Sequence, residues 1–199
     1  MNKYIFNCVD KENVCKLRSF LLLYNNGLMS LPYDDNMLDM MLDCFDLNAL
    51  FIDDNCCDLN ISLQKYDISN AQSIIFRYLP NINIIPNNFL KNNVILVYVN
   101  LFGFSNVTSI GDYFLFNCNA LTSIDLSGFS NVTSIGHYFL SNCNALTSID
   151  FSGFSNVTSI GDYFLLDCHA LTSAKFPKNN AQLFIPKIKP PICTFVCHK

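Results

Sequence analysis

Tryptophan is absent from this 199-residue chain, histidine occurs three times, and charged residues make up only 14% of it. So little histidine leaves few general bases or ligands from which to build a catalytic or metal centre. No dinucleotide-binding glycine fingerprint, phosphate-binding loop, His-Glu-x-x-His pair or Gly-x-Ser-x-Gly elbow appears either. The expectation is a non-enzymatic chain that needs no cofactor and no metal. Basic residues are outnumbered: the net charge is −4 and the pI about 5.1, so nucleic acid finds no electrostatic attraction. No apolar run approaches the roughly 18 residues that span a bilayer, which argues against membrane insertion. The opening stretch, Met1 to Asp10, carries no secretory leader pattern. The cytoplasm is therefore the expected location, with unconventional export to the cell surface as the alternative. The ten cysteines then read as thiols rather than as a disulfide framework.

What the chain does have is repetition. Leu101–Asp125 returns as Leu126–Asp150 with three changes in 25, and again as Phe151–Lys175 with seven changes from the second copy. A fixed period of this length marks a solenoid, in which each unit buries its apolar face only against its neighbours. Phe76–Asn100 keeps the apolar frame through Ile82, Ile85, Phe89, Leu90, Leu96 and Val99 but lacks both recurring glycines, and reads as an atypical first coil. Residues 57–75 read as a partial coil, so the solenoid is expected over 57–175 in steps 76–100, 101–125, 126–150 and 151–175.

Ahead of it, residues 1–56 read as a helical N-terminal cap. Asp10 starts one apolar-periodic segment that ends at Asn25-Asn26-Gly27, and Asp34-Asp35 start another that reaches about Leu47. Leu31-Pro32 before the second segment loosely resembles an F-box, which makes an adaptor acting through residues 28–50 an alternative. Residues 176–199 read as a C-terminal cap or tail, since prolines at 186, 190 and 191 oppose edge pairing.

Within a coil, Leu121, Ile124 and Leu126 are interleaved with Thr122, Ser123 and Asp125, the pattern of a short strand with one face inward. Val132–Ile135 is a second extended piece turned by Gly136. His137–Cys143 reads as a tight helical or 3₁₀ return that places Phe139, Leu140 and Cys143 in the core. Glycines recur at 103, 128 and 153 and at 111, 136 and 161, marking two corners where a side chain would be costly.

Cys118-x-x-Leu121-x-x-Ile124-x-Leu126, followed by Val132-x-x-Ile135-Gly136-x-x-Phe139-Leu140-x-x-Cys143, resembles the leucine-rich repeats of the bacterial surface-antigen (BspA-like) class, also found in protists and large DNA viruses. The coils here are longer than is usual in that class, the extra length falling at Ser127–Ser130. The resemblance implies an α+β solenoid: a curved parallel β leucine-rich-repeat stack of 25-residue coils with a small helical N-terminal cap. It also implies a protein partner, bound by an interaction module or by a cell-surface adhesin.

Stacked coils set equivalent residues in columns about 4.8 Å apart. Thr122, Ser123, Asp125, Thr147, Ser148, Asp150, Thr172, Ser173 and Lys175 are expected on the outward side of the main strands and form the candidate protein-binding face. The alternative is a merely solvated hydroxyl surface. Cys118, Cys143 and Cys168 form an inward column, a line of single thiols rather than the tetrahedron that a metal needs. Cys56-Cys57 and Cys193-x-x-x-Cys197-His198 have looser spacings. Asp112, His137 and Asp162 form a solvated corner column with no nucleophile or pocket beside it. Phe104, Phe129 and Phe154 either close the core beneath the added loop or leave an aromatic stripe open to a partner, core being the preferred reading. A thin C-terminal cap leaves edge-to-edge dimerisation open.

Overall fold

The computed structural model describes residues 71–188, the strands at 5–6, 49–53 and 194–197, and the single residues Leu59, Leu63 and Ile68. In chain order the strands are β1 (Ile5–Phe6), β2 (Ala49–Asp53), β3 (Ser73–Tyr78), β4 (Ile84–Ile85), β5 (Tyr98–Asn100) and β6 (Ser109–Ile110). They continue with β7 (Ser123–Asp125), β8 (Ser134–Ile135), β9 (Ser148–Asp150), β10 (Ser159–Ile160), β11 (Ser173–Phe176) and β12 (Thr194–Cys197). A one-turn helix, α1 (Ala181–Phe184), follows β11. From β3 to β11 the chain alternates between a main strand and a second strand, and a return arc closes each coil.

The second strands form one parallel ladder, β4-β6-β8-β10, that sets Ile85, Ile110, Ile135 and Ile160 in register. The main strands form two ladders, β1-β2-β3-β5-β7 and β9-β11-β12. Only β1 runs antiparallel to its neighbour among these pairs. The break falls between β7 and β9, where Asp125 and Asp150 hold equivalent positions. One step earlier, between the loops that follow β5 and β7, Gly128 is drawn so close that a Cβ would collide with the Leu101 carbonyl, whereas at the broken step a Cβ on Gly153 would meet nothing within 4 Å. Ile124 is consequently half-buried where Val99 and Ile149 are buried.

The interior is built on phenylalanine. Phe89, Phe114, Phe139 and Phe164 stack almost parallel, with centroids 5.5, 4.8 and 5.3 Å apart. Phe104, Phe129 and Phe154 are fully buried beside them, so that column is core and not an open stripe. Each such ring contributes on the order of 1.5–3 kcal/mol by leaving water. Phe184 of α1 seats its ring 5.5–5.9 Å from Phe151, Phe164 and Phe176 and closes the C-terminal end of the stack. Asn180 beside it donates through Nδ2 to the carbonyls of Phe154 and Val157, at 3.0 and 2.9 Å.

His137–Cys143 is neither a helix nor a 3₁₀ return, contrary to the reading of its sequence. Tyr138, Leu140 and Asn142 take φ values of 58°, 52° and 61°, and the same three positions are left-handed in every arc from Asn88 to Asp167. Their amides point between coils: Tyr113 N–H donates to His137 O at 2.8 Å, Leu115 N–H to Phe89 O at 2.9 Å, and Asn117 N–H to Ser141 O at 2.9 Å. A helix would have directed these donors along the arc instead. A left-handed tyrosine or leucine costs roughly 1–2 kcal/mol, and the inter-coil hydrogen bonds together with burial of Leu115 and Leu140 offset it. Phe139, Leu140 and Cys143 are buried as expected.

The ends also differ from expectation. β12 pairs in parallel with β11, so the main sheet continues past the prolines, which precede the strand and interrupt no ladder bond. β2 pairs in parallel with β3, so a rung already lies within 1–56, ahead of the expected start at 57. The capping helices expected before about Leu47 lie outside the described residues, as does the F-box-like span apart from Ala49 and Leu50. Cys56, Cys57, Cys193 and His198 lie outside them too.

Candidate functional site

The alternation of β7, β9 and β11 turns one side chain in two away from the core. Ile124, Ile149 and Ala174 face inward, and Ser123, Asp125, Ser148, Asp150, Ser173 and Lys175 face outward with Thr122, Thr147 and Thr172 just before each strand. All nine candidate residues are exposed or half-buried, and the ladder brings them together on three consecutive rungs. Thr122 and Thr172 donate their hydroxyl protons to the Val97 and Thr147 carbonyls of the preceding coil, each at 3.2 Å, which leaves their lone pairs facing solvent. Asp125 Oδ1 accepts from Ser127 N–H and Asp150 Oδ1 from Ser152 N–H, both at 2.8 Å. Asn100 Nδ2 donates to Asp125 Oδ2, and Lys175 Nζ to Asp150 Oδ2, each at 3.1 Å. Burial works to raise the Asp150 carboxyl, but the Ser152 hydrogen bonds and the Lys175 ammonium outweigh it and hold the group below its ordinary value. Thr122, Thr172, Asp125 and Asp150 thus offer acceptors on this face, beside the Ser123, Ser148 and Ser173 hydroxyls and the Lys175 ammonium.

Two further columns run through the same coils. Cys118, Cys143 and Cys168 are buried and free, and donate through Sγ to the carbonyls of Leu90, Leu115 and Leu140 at 3.2, 3.2 and 3.0 Å. Each thiol thus satisfies the carbonyl of a left-handed leucine in the coil before. Burial pushes the thiols of Cys118 and Cys168 up to about 12 and about 11 and raises Cys143 further. They stay protonated at neutral pH and are poor nucleophiles. The corner column is a relay between side chain and backbone. Asn87 Oδ1 accepts from Asp112 N–H at 2.8 Å, Asp112 Oδ1 from His137 N–H at 2.8 Å, and His137 Nδ1 from Asp162 N–H at 3.0 Å. Lys187 Nζ ends it on Asp162 Oδ1 at 2.7 Å. Among the described residues no three of His, Cys, Asp and Glu converge on one point, and no helix is long and apolar enough to cross a membrane.

The description of the BspA type leucine-rich repeat region matches residues 52–184 in six copies. The chain belongs to the BspA-type leucine-rich repeat family. A solved leucine-rich repeat protein of T. pallidum is similar to this BspA-type chain at 22% identity, over 53% of this chain and 59% of that one, with a TM-score of 0.39. No curated protein matches the sequence. The parallel solenoid with its 25-residue step is thus the family's repeat fold, and such repeats characteristically mediate protein–protein binding.

One surface column of this BspA-type chain escapes a reading of its sequence. Tyr113, Tyr138 and Tyr163 stack on the outside of the return arc, with centroids 4.8 and 4.5 Å apart and planes within 13° of parallel. Lys91 Nζ lies 4.1 Å from the centroid of the Tyr113 ring, and Phe116 meets Tyr113 and Tyr138 edge-on. The strict recurrence of tyrosine was visible at 25-residue spacing, but a helical arc would have turned it elsewhere. The left-handed backbone is what points the rings outward and stacks them.

Proposed function

We propose that this BspA-type chain is a non-enzymatic protein-interaction module whose ligand face is the outward side of β7, β9 and β11. The observation that carries the reading is the row of nine accessible polar residues, Thr122 to Lys175, on three rungs whose opposite side is fully committed to core. The face offers acceptors, because the protons of Thr122 and Thr172 turn inward and Asp125 and Asp150 add carboxylates. The net charge of −4 works in the same direction. The partner it suits is an extended polypeptide bearing lysine or arginine, which would supply donors and steer association by charge.

The test uses the full chain as bait for a displayed peptide library, followed by amide-exchange mapping of the complex. The expected ligands are basic, slow exchange at 122–125, 147–150 and 172–175, and lose at least about tenfold in affinity to Ser148→Arg, a loss of about 1.4 kcal/mol. Ligands that protect the Tyr113–Tyr138–Tyr163 strip and ignore Ser148→Arg would overturn the reading. Retention of the chain on intact cells, with none from lysate, would favour the adhesin over the intracellular module.

A further inference from the structure

The tyrosine strip on the return arcs takes no part in the face of the main strands, and its geometry suits a different chemistry. Tyr113, Tyr138 and Tyr163 hold one position in three consecutive coils, with ring planes 6° and 13° from parallel and centroids 4.8 and 4.5 Å apart. Rings at that separation are in contact, so the ring carbons of neighbouring coils lie next to one another. The strip is at the surface: Tyr113 and Tyr138 are half-buried and Tyr163 is 44% exposed. Lys91 Nζ stands 4.1 Å from the Tyr113 centroid, over the ring face that Tyr138 leaves open, and its charge opposes removal of an electron from that ring. Competing oxidation is shut off within the same coils. Residues 71–188 hold no methionine or tryptophan. Their three thiols are buried and stay protonated.

We propose that the strip is an oxidative cross-linking site, at which a one-electron oxidant of the haem peroxidase class, fed by hydrogen peroxide, joins Tyr138 to Tyr163 as dityrosine. Each phenol gives up one electron and one proton to become a tyrosyl radical. The two radicals form one C–C bond between ring carbons ortho to the oxygens. Each of those carbons then breaks its C–H bond and passes the proton to its own oxygen, which restores two phenols. Two hydrogen atoms leave in all, and they reduce one hydrogen peroxide to two waters. Tyr138 and Tyr163 are the favoured pair because they stand closest, Tyr163 is the most exposed of the three, and Lys91 sits at the far end of the strip. The bond closes a loop from 138 to 163, so it restricts the unfolded chain as a disulfide does. It staples two coils that otherwise hold each other by hydrogen bonds and packing.

The test treats the full chain with a haem peroxidase and hydrogen peroxide, and follows dityrosine by its fluorescence and by peptide mass mapping. The expected product is a 138–163 link within one chain, formed in the same yield at every protein concentration. The linked chain is expected to unfold at a higher urea concentration than the untreated one. Tyr138→Phe should abolish the link, because it leaves Tyr113 and Tyr163 two coils apart, while Tyr163→Phe should move it to 113–138. Each variant loses only a phenol oxygen, and amide protection over 101–175 is expected to match the wild type. Absence of dityrosine, links between two copies or to a tyrosine outside the strip, or an unshifted urea midpoint would overturn the proposal. Dityrosine at the wild-type level in Tyr138→Phe would equally overturn it.

Discussion

Lys175 Nζ stands 3.1 Å from the Asp150 carboxylate one coil earlier, whereas Asp125, one coil earlier again and across the break in the main-strand ladder, turns its carboxylate to Asn100. Asp125 is held on both oxygens: Oδ1 accepts from Ser127 N–H at 2.8 Å and Oδ2 from Nδ2 of the buried Asn100 at 3.1 Å. Asp125→Asn keeps the turn to Ser127 but sets its amide nitrogen against that of Asn100. The variant is expected to lose about 0.5–1.5 kcal/mol, read as a lowered Tm.

Acid should act through the Asp150–Lys175 pair. The Asp150 carboxyl is held below its ordinary value, so its contribution is present above the unfolded value near 3.9 and is lost as pH falls through the lower folded value. Urea midpoints measured from pH 5 to pH 2.5 are expected to fall more steeply for the wild type than for Asp150→Asn. Parallel curves would refute the assignment.

Alkali should act through the thiols, with the opposite sign. Cys118, Cys143 and Cys168 bind their protons more tightly folded than unfolded, so stability is complete below about 8.5 and declines as pH rises towards 11–12. The three are also expected to resist iodoacetamide at pH 8 in the native chain and to react once it is unfolded. Peptide mass mapping of the labelled chain reads both states.

Gly136 and Gly153 should behave differently. A Cβ on Gly136 would meet Gly111 C and Asp112 N of the coil before at 2.6 and 2.7 Å, so Gly136→Ala must pry the coils apart and is expected to cost about 1–3 kcal/mol. Gly153→Ala meets open space and is expected to change Tm little. Equal losses at both positions would contradict the close approach at Gly136.

Most of the solenoid was legible because its cause is translational: residues 25 apart must do the same thing, so Ile85, Ile110, Ile135 and Ile160 align whichever coil is read first. The outward face was legible for the same reason, since alternation about Ile149 fixes where Ser148 and Asp150 point. The arcs were not. Asn142 and Asp167 tolerate left-handed φ, but Tyr138 and Leu140 carry no such signal, and their conformation is imposed by hydrogen bonds to coils on either side. β12 was missed because local proline chemistry was read across a strand that begins only at Thr194. The tyrosine strip was hidden behind the misread arc.

The relay from Asn87 through Asp112, His137 and Asp162 to Lys187 runs in one direction, each coil offering an acceptor to the amide of the coil that follows. A unit of this kind carries its own connector at both ends. Copying or deleting 25 codons in phase, as unequal recombination does, joins surfaces that already fit one another. The near-identity of 101–125 and 126–150 is then a trace of how such a gene lengthens, with no new interface needing to be invented at the seam.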